Sequence, residues 1–99
     1  MKKIDSFECK VQVLVCTNQR DNGKPSCKDY GGQEFYQRLK DKVKDAGLRD
    51  THWVSRTGCL GFCNSVGTTV TITHVGKSSE WFSEVTEQDF DPIWKKIIE

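Results

Sequence analysis

Four of the five cysteines, Cys16, Cys27, Cys59 and Cys63, follow the pattern C-x10-C and then C-x3-C. Thiols in such sets do one of three things: they form a disulfide or dithiol redox pair, hold zinc, or hold an iron–sulfur cluster. Structural zinc usually takes two knuckles of C-x2-C to C-x4-C, and only one pair here is so spaced. A thiol oxidoreductase of the thioredoxin type needs C-x-x-C, and the pair in "TGCLGFC" has one residue too many. A Rieske centre needs histidine ligands near the cysteines, whereas His52 and His74 sit in strand-like runs and read as structural or surface residues. A [2Fe–2S] cluster wants four thiolates converging from two loops, with backbone N–H groups directed at the sulfurs. Gly58 and Gly61 suit that demand, because a backbone without Cβ folds closely around a bulky anion. On the residues alone, the leading reading makes "TGCLGFC" half of a cluster site and the Cys16–Cys27 loop the other half, with zinc and a dithiol pair as the rivals.

The fifth cysteine stands apart. With Cys9 to Cys16 read as one extended run, their backbones lie roughly 23 Å apart and their side chains point to opposite faces. Cys9 is therefore expected to be a small, half-buried apolar residue away from the site.

The elements that must position these thiols follow from periodicity. "CKVQVLV", Cys9 to Val15, alternates and predicts a strand with Val11, Val13 and Val15 on one face. "CTNQRDNGKPSCKDYGG", Cys16 to Gly32, is a long aperiodic loop, a length that is usually functional. Gln33 to Ala46 predicts an amphipathic helix with Phe35, Leu39, Val43 and Ala46 inward and Gly47 as its stop. "THWVSR", Thr51 to Arg56, is a short strand; "TTVTITHV" and "EWFSEV" form a hairpin, Thr68 to Val75 and Glu80 to Val85, around "GKSS". In the closing segment, Thr86 with Asp89 resembles a capping box. A short or broken first turn followed by a helix from Pro92, with Asp91 as N-cap, is preferred, because it keeps proline out of the helix interior. A strand–helix–strand unit implies a right-handed crossover and a parallel pair, to which the hairpin adds antiparallel strands.

Ninety-nine residues allow one domain, 1–99, with a thin core that a metal or covalent staple would supplement. Hydrophobic residues are 35% and charged residues 29%, as in an ordinary globular domain. No apolar run of about 18 residues exists, so no membrane span is expected. "MKKIDSFECK" lacks the apolar stretch of an export signal, so a cytoplasmic location is expected, where cysteines more often bind metal than form disulfides. A net charge of +1 argues against nucleic-acid binding. The five acids from Glu80 to Asp91, without an intervening Lys or Arg, are either a solvated face or a docking surface for a basic partner.

Taken together, "VCTNQRDNGKPSC", "YQRLKDKVKDAGL", "TGCLGFC" and "WFSEVTEQDF" give a chain that resembles the thioredoxin-like [2Fe–2S] ferredoxins from about Val11 to Ile98. The resemblance implies an α/β (α+β) thioredoxin-like fold: a mixed four-stranded sheet with a parallel strand–helix–strand unit, a C-terminal hairpin and a final helix. It implies one [2Fe–2S] cluster per chain, with Cys16, Cys27, Cys59 and Cys63 as ligands. The implied role is that of a homodimeric one-electron carrier between redox enzymes, not itself an enzyme. Trp53, Trp81 and Phe82, near strand edges, are candidates for the dimer contact. The rival readings are a zinc-stabilised interaction module and a thiol–disulfide oxidoreductase. The chain departs from the family after Cys63, where a Gly-Pro is common and Gly67-Thr68 stands instead.

Overall fold

Alternating valines place β1 (Val11–Cys16) at the middle of the molecule: Val11, Val13 and Val15 are buried while Gln12 is exposed. The structure, a computed structural model, describes residues 1–5, 7–18, 31–62 and 66–99. After β1 come α1 (Gly32–Asp45), β2 (His52–Thr57), β3 (Thr68–His74), β4 (Glu80–Val85), a 3₁₀ turn (Glu87–Asp89) and α2 (Phe90–Ile98). The sheet order is β2-β1-β3-β4, with β1 parallel to β2 and antiparallel to β3, and β3 antiparallel to β4. The expected mixed four-stranded sheet is present.

Both helices lay their apolar stripes on one face of the sheet. Phe35, Leu39 and Val43 of α1 and Phe90, Ile93 and Ile97 of α2 join Val11, Val13, Val15, Val54, Val70 and Ile72 in a single core. Arg38 clamps the two helices together, its guanidinium 4.0 Å from the centre of the Phe90 ring and ion-paired with Glu87. The far end of α1 closes in a Schellman motif. Leu48 N–H donates to Val43 O at 3.0 Å and Gly47 N–H to Lys44 O at 3.1 Å, with Gly47 at φ +73°. Leu48 then packs on the core, while Ala46, expected on the buried face, is exposed because it is the C-cap where the chain turns away.

The ends of the first strand and the start of the last helix differ most from expectation. β1 starts at Val11, not Cys9, because Val11 is the first residue to pair on both sides, with His52 and His74. It also continues through Cys16, which pairs with Thr57. The last helix begins at Phe90 with Asp89, not Asp91, as N-cap. Pro92 is its third residue, inside the first turn, where a backbone N–H has no intrahelical acceptor to lose. The Thr86–Asp89 capping box stands before it, with Thr86 N–H donating to Asp89 Oδ2 at 2.9 Å.

Candidate functional site

Parallel pairing brings Cys16 and the start of the Cys59 loop to one end of the sheet. β1 and β2 run side by side and end together at the Cys16–Thr57 pair, and Thr17 N–H donates to Thr57 O at 2.9 Å just beyond it. Cys59 follows Thr57 by two residues, so Cys16 and Cys59 emerge from neighbouring strand ends. Cys16 is fully buried and Cys59 is exposed. The expected ligands Cys27 and Cys63 lie outside the described residues. Among the described residues no three His, Cys, Asp or Glu side chains gather as a metal site.

The Cys59 loop has one feature suited to an anionic sulfur. Gly61 turns the backbone at φ +90° and directs its N–H at Cys59 Sγ, 3.2 Å away. Only glycine adopts that conformation without strain, and a backbone N–H on a thiolate favours the charged form that metals bind. The thiol donors and this oriented N–H fit an iron–sulfur cluster. Gly58, expected to play the same part, has an ordinary backbone conformation and open space around it.

Among the described residues, neither histidine approaches Cys16 or Cys59. His52 and His74 flank Val11, at the end of β1 remote from Cys16 by roughly 17 Å of extended chain. His74 Nε2 lies 2.8 Å from Lys96 O and His52 Nδ1 2.7 Å from Thr51 Oγ1, which are structural bonds. Burial, and next the neighbouring His74 and Lys10, hold the His52 imidazole below its ordinary pKa. Cys9 is at this same remote end, its thiol 3.4 Å from Val11 O, so it stands apart from Cys16 as expected.

The start of β3 is where the residues ran ahead of what periodicity alone could show. Thr68 and Thr69 are buried; Thr68 Oγ1 donates to Cys16 O at 2.7 Å, and Thr69 Oγ1 has no hydrogen-bond partner among the described residues. The signal available was the Gly67-Thr68 departure itself, polar residues opening a strand beside a cysteine loop. The acidic run is mostly engaged within the chain: Glu87 pairs with Arg38, Glu80 lies 3.7 Å from Lys96, and Asp89 caps Thr86. That engagement favours the solvated face over a docking surface. Of the three candidate dimer residues, Phe82 packs against the core, whereas Trp53 and Trp81 are about half exposed.

No protein-family model matches the chain. A curated protein of Priestia megaterium named "Putative 2Fe-2S ferredoxin" is 33% identical over 79 residues, covering 80% of this chain and 54% of that protein. The chain thus spans about half the length of this relative. The solved wild-type thioredoxin-like [2Fe–2S] ferredoxin of Aquifex aeolicus is 30% identical and superposes with a TM-score of 0.72, covering 89% of this chain and 84% of the other. A second structure of a thioredoxin-like [2Fe–2S] ferredoxin from the same organism gives a TM-score of 0.74 at 28% identity, covering 92% and 82%.

Proposed function

Because the chain belongs to the thioredoxin-like [2Fe–2S] ferredoxin family, we propose that it is a one-electron carrier with one [2Fe–2S] cluster on Cys16, Cys27, Cys59 and Cys63. The observation that supports this most is the convergence of Cys16 and Cys59 at adjacent parallel strand ends, with Gly61 N–H on the Cys59 sulfur. Such a cluster, when bound, takes up and releases one electron. The chain's own part is to hold four thiolates, shield one side of the site through the buried Cys16, and leave the Cys59 side open to a partner. Redox enzymes are the partners, and the cytoplasm is the location that the cysteine usage favours. No helix among the described residues is long and apolar enough to cross a membrane.

The carrier works as a homodimer through the sheet face opposite the helices. Trp53 and Trp81 both lie on that face, opposite Gln12 and Thr71, each with a second aromatic ring against it: Phe7 at 5.5 Å and Phe62 at 6.0 Å. Phe7, Trp53, Phe62 and Trp81 remain exposed, more apolar surface than a small monomer usually leaves in water.

Metal analysis tests the cluster. Protein made with iron available should be red-brown and carry two irons and two sulfides per chain, the content of one such cluster; one zinc and no sulfide would instead establish the zinc module. Alanine at Cys16, Cys27, Cys59 or Cys63 should each abolish or weaken the visible absorbance. Cys9→Ser should keep it, with a stability loss of about 1 kcal/mol.

A further inference from the structure

We propose that the outer edge of β2, with the basic flank of α1 beside it, is a docking groove for an extended acidic segment of a partner protein, which joins the sheet as a further strand. The inference rests on the carrier reading only in taking that partner to be a redox enzyme; the edge and its charge do not depend on the cluster.

β2 ends the sheet on one side, with β1 as its strand neighbour. Thr51 O accepts from Val11 N–H at 3.2 Å and Thr57 O from Thr17 N–H at 2.9 Å, so the odd-numbered residues here direct their backbone groups at β1. Backbone groups alternate in direction along a strand, so those of His52, Val54 and Arg56 point away from the sheet. Leu48 O takes the His52 N–H at 2.9 Å. Among the described residues no strand pairs with Val54 and Arg56 on that side, and such a row is a template for another strand. The opposite edge of the sheet is blunted. β4 is interrupted by a bulge against Thr68 and Val70 and by Glu84 at φ +56°, whereas β2 keeps an unbroken register from His52 to Thr57.

Charge decides the occupant. A groove of about 290 Å³ lies between β2 and the second half of α1, with Lys40, Lys44 and Arg49 exposed along it and Val43 and Val54 buried beneath. Asp41 also lines it, held by Gln37 Nε2 at 3.0 Å. None of the three cations has an ion pair among the described residues. Lys40 donates to Tyr36 Oη at 3.0 Å, one of the three N–H bonds an ammonium can make. Exposed Arg56 shares the helix-facing side of β2 with Val54. A strand laid about 4.8 Å beyond β2 puts every second side chain beneath the α1 flank. Acids at alternate positions then meet Lys40, Lys44 and Arg56, while the main chain bonds Val54 and Arg56. In strand addition of this kind the backbone supplies affinity and the alternate side chains supply specificity. A second copy of the chain is the poorer occupant, because two paired β2 edges would bring two Lys40–Lys44 flanks face to face, and opposed like charges are destabilising. β2 leads to Thr57, two residues before the exposed Cys59, so a segment bound along it ends at the open side of the site.

The test is fluorescence anisotropy of a short labelled peptide alternating glutamate and valine, titrated with the full chain at measured iron and sulfide content. The peptide should bind, and more weakly as salt rises. The Lys40→Glu, Lys44→Glu double variant should weaken binding by about tenfold or more. So should Arg56→Pro relative to Arg56→Ala, because proline there removes an outward N–H and leaves the β1 ladder whole. The same peptide N-methylated at every amide keeps its charge and loses its donors, and it should also bind about tenfold more weakly or worse; this arm decides even if the proline variant does not fold. A peptide alternating lysine and valine should not bind. No binding of the glutamate peptide, equal binding of its methylated form, or binding of the lysine peptide would each overturn the proposal. Light scattering closes the remaining alternative: a dimer that Arg56→Pro reduces to the 11.3 kDa chain would put a second copy on this edge and overturn it too. A protein with full cluster content that ignores the peptide refutes the groove and leaves the carrier standing, and a colourless protein that binds it does the reverse.

Discussion

Gly67 is buried where the chain enters β3, and a Cβ there would stand 2.3 Å from Val85 O and 2.8 Å from Glu84 C. Both obstacles are backbone, which cannot swing aside as a flexible side chain would. Gly67→Ala should therefore cost about 1–3 kcal/mol, read as a lower denaturant midpoint in the apoprotein. It should also loosen the Thr68–Cys16 bond next to it. At this scale the sequence was readable where chemistry depends on residue type. Thiol type and spacing pointed to the strand ends where Cys16 and Cys59 emerge, and Gly61 could be chosen for its turn at a cysteine. The close approach of Gly67 to β4 could not be read, because its neighbour is 18 positions away and is brought there only by the hairpin. Thr69 was equally hidden, since alternation marks it as the second face of a strand but does not say that the face is covered.

Among the elements, those with strong periods were legible to within one or two residues: α1 by its apolar stripe, and the hairpin by its alternation around a glycine turn. The beginning of α2 was read two residues late, because two capping solutions compete in "TEQDFDP" and their difference is a matter of a single turn. The 3₁₀ turn lets both local rules hold. Thr86 and Asp89 make their box, and Pro92 still falls where no hydrogen bond is lost. Asp89→Ala should remove the acceptor for Thr86 N–H and lower stability by about 1 kcal/mol. Circular dichroism should show the loss confined to melting temperature, with helix content at 20 °C kept by the core contacts of Ile93 and Ile97.

For the molecule as a whole, charge placement and aromatic exposure point to different conclusions. Most of the acidic run is engaged internally, so docking by that surface has little left to work with. The opposite sheet face has the unspent apolar area. Light scattering at micromolar concentration should give twice the 11.3 kDa of one chain. Replacing both Trp53 and Trp81 by serine should return it to the single-chain mass with the visible spectrum kept, since neither belongs to the core. Mass unchanged by that double replacement would move the contact to another surface. Sequence could nominate these tryptophans from their size and position in strands, but separating them from Phe82 required knowing which face the helices cover.

The sheet order also sets a timetable for synthesis. Cys16 belongs to the first strand made, yet that strand is central, and the partner that closes its second side, β3, begins only at Thr68. A nascent chain that has not yet released the hairpin has β1 as an open edge, with the Cys16 carbonyl lacking its Thr68 donor and the thiol uncovered on one flank. The crossover through α1 can align Cys16 with the Cys59 loop before then, but it cannot bury it. The Cys16 end of the sheet is thus closed only once β3 has formed, although Cys16 itself is translated among the first residues.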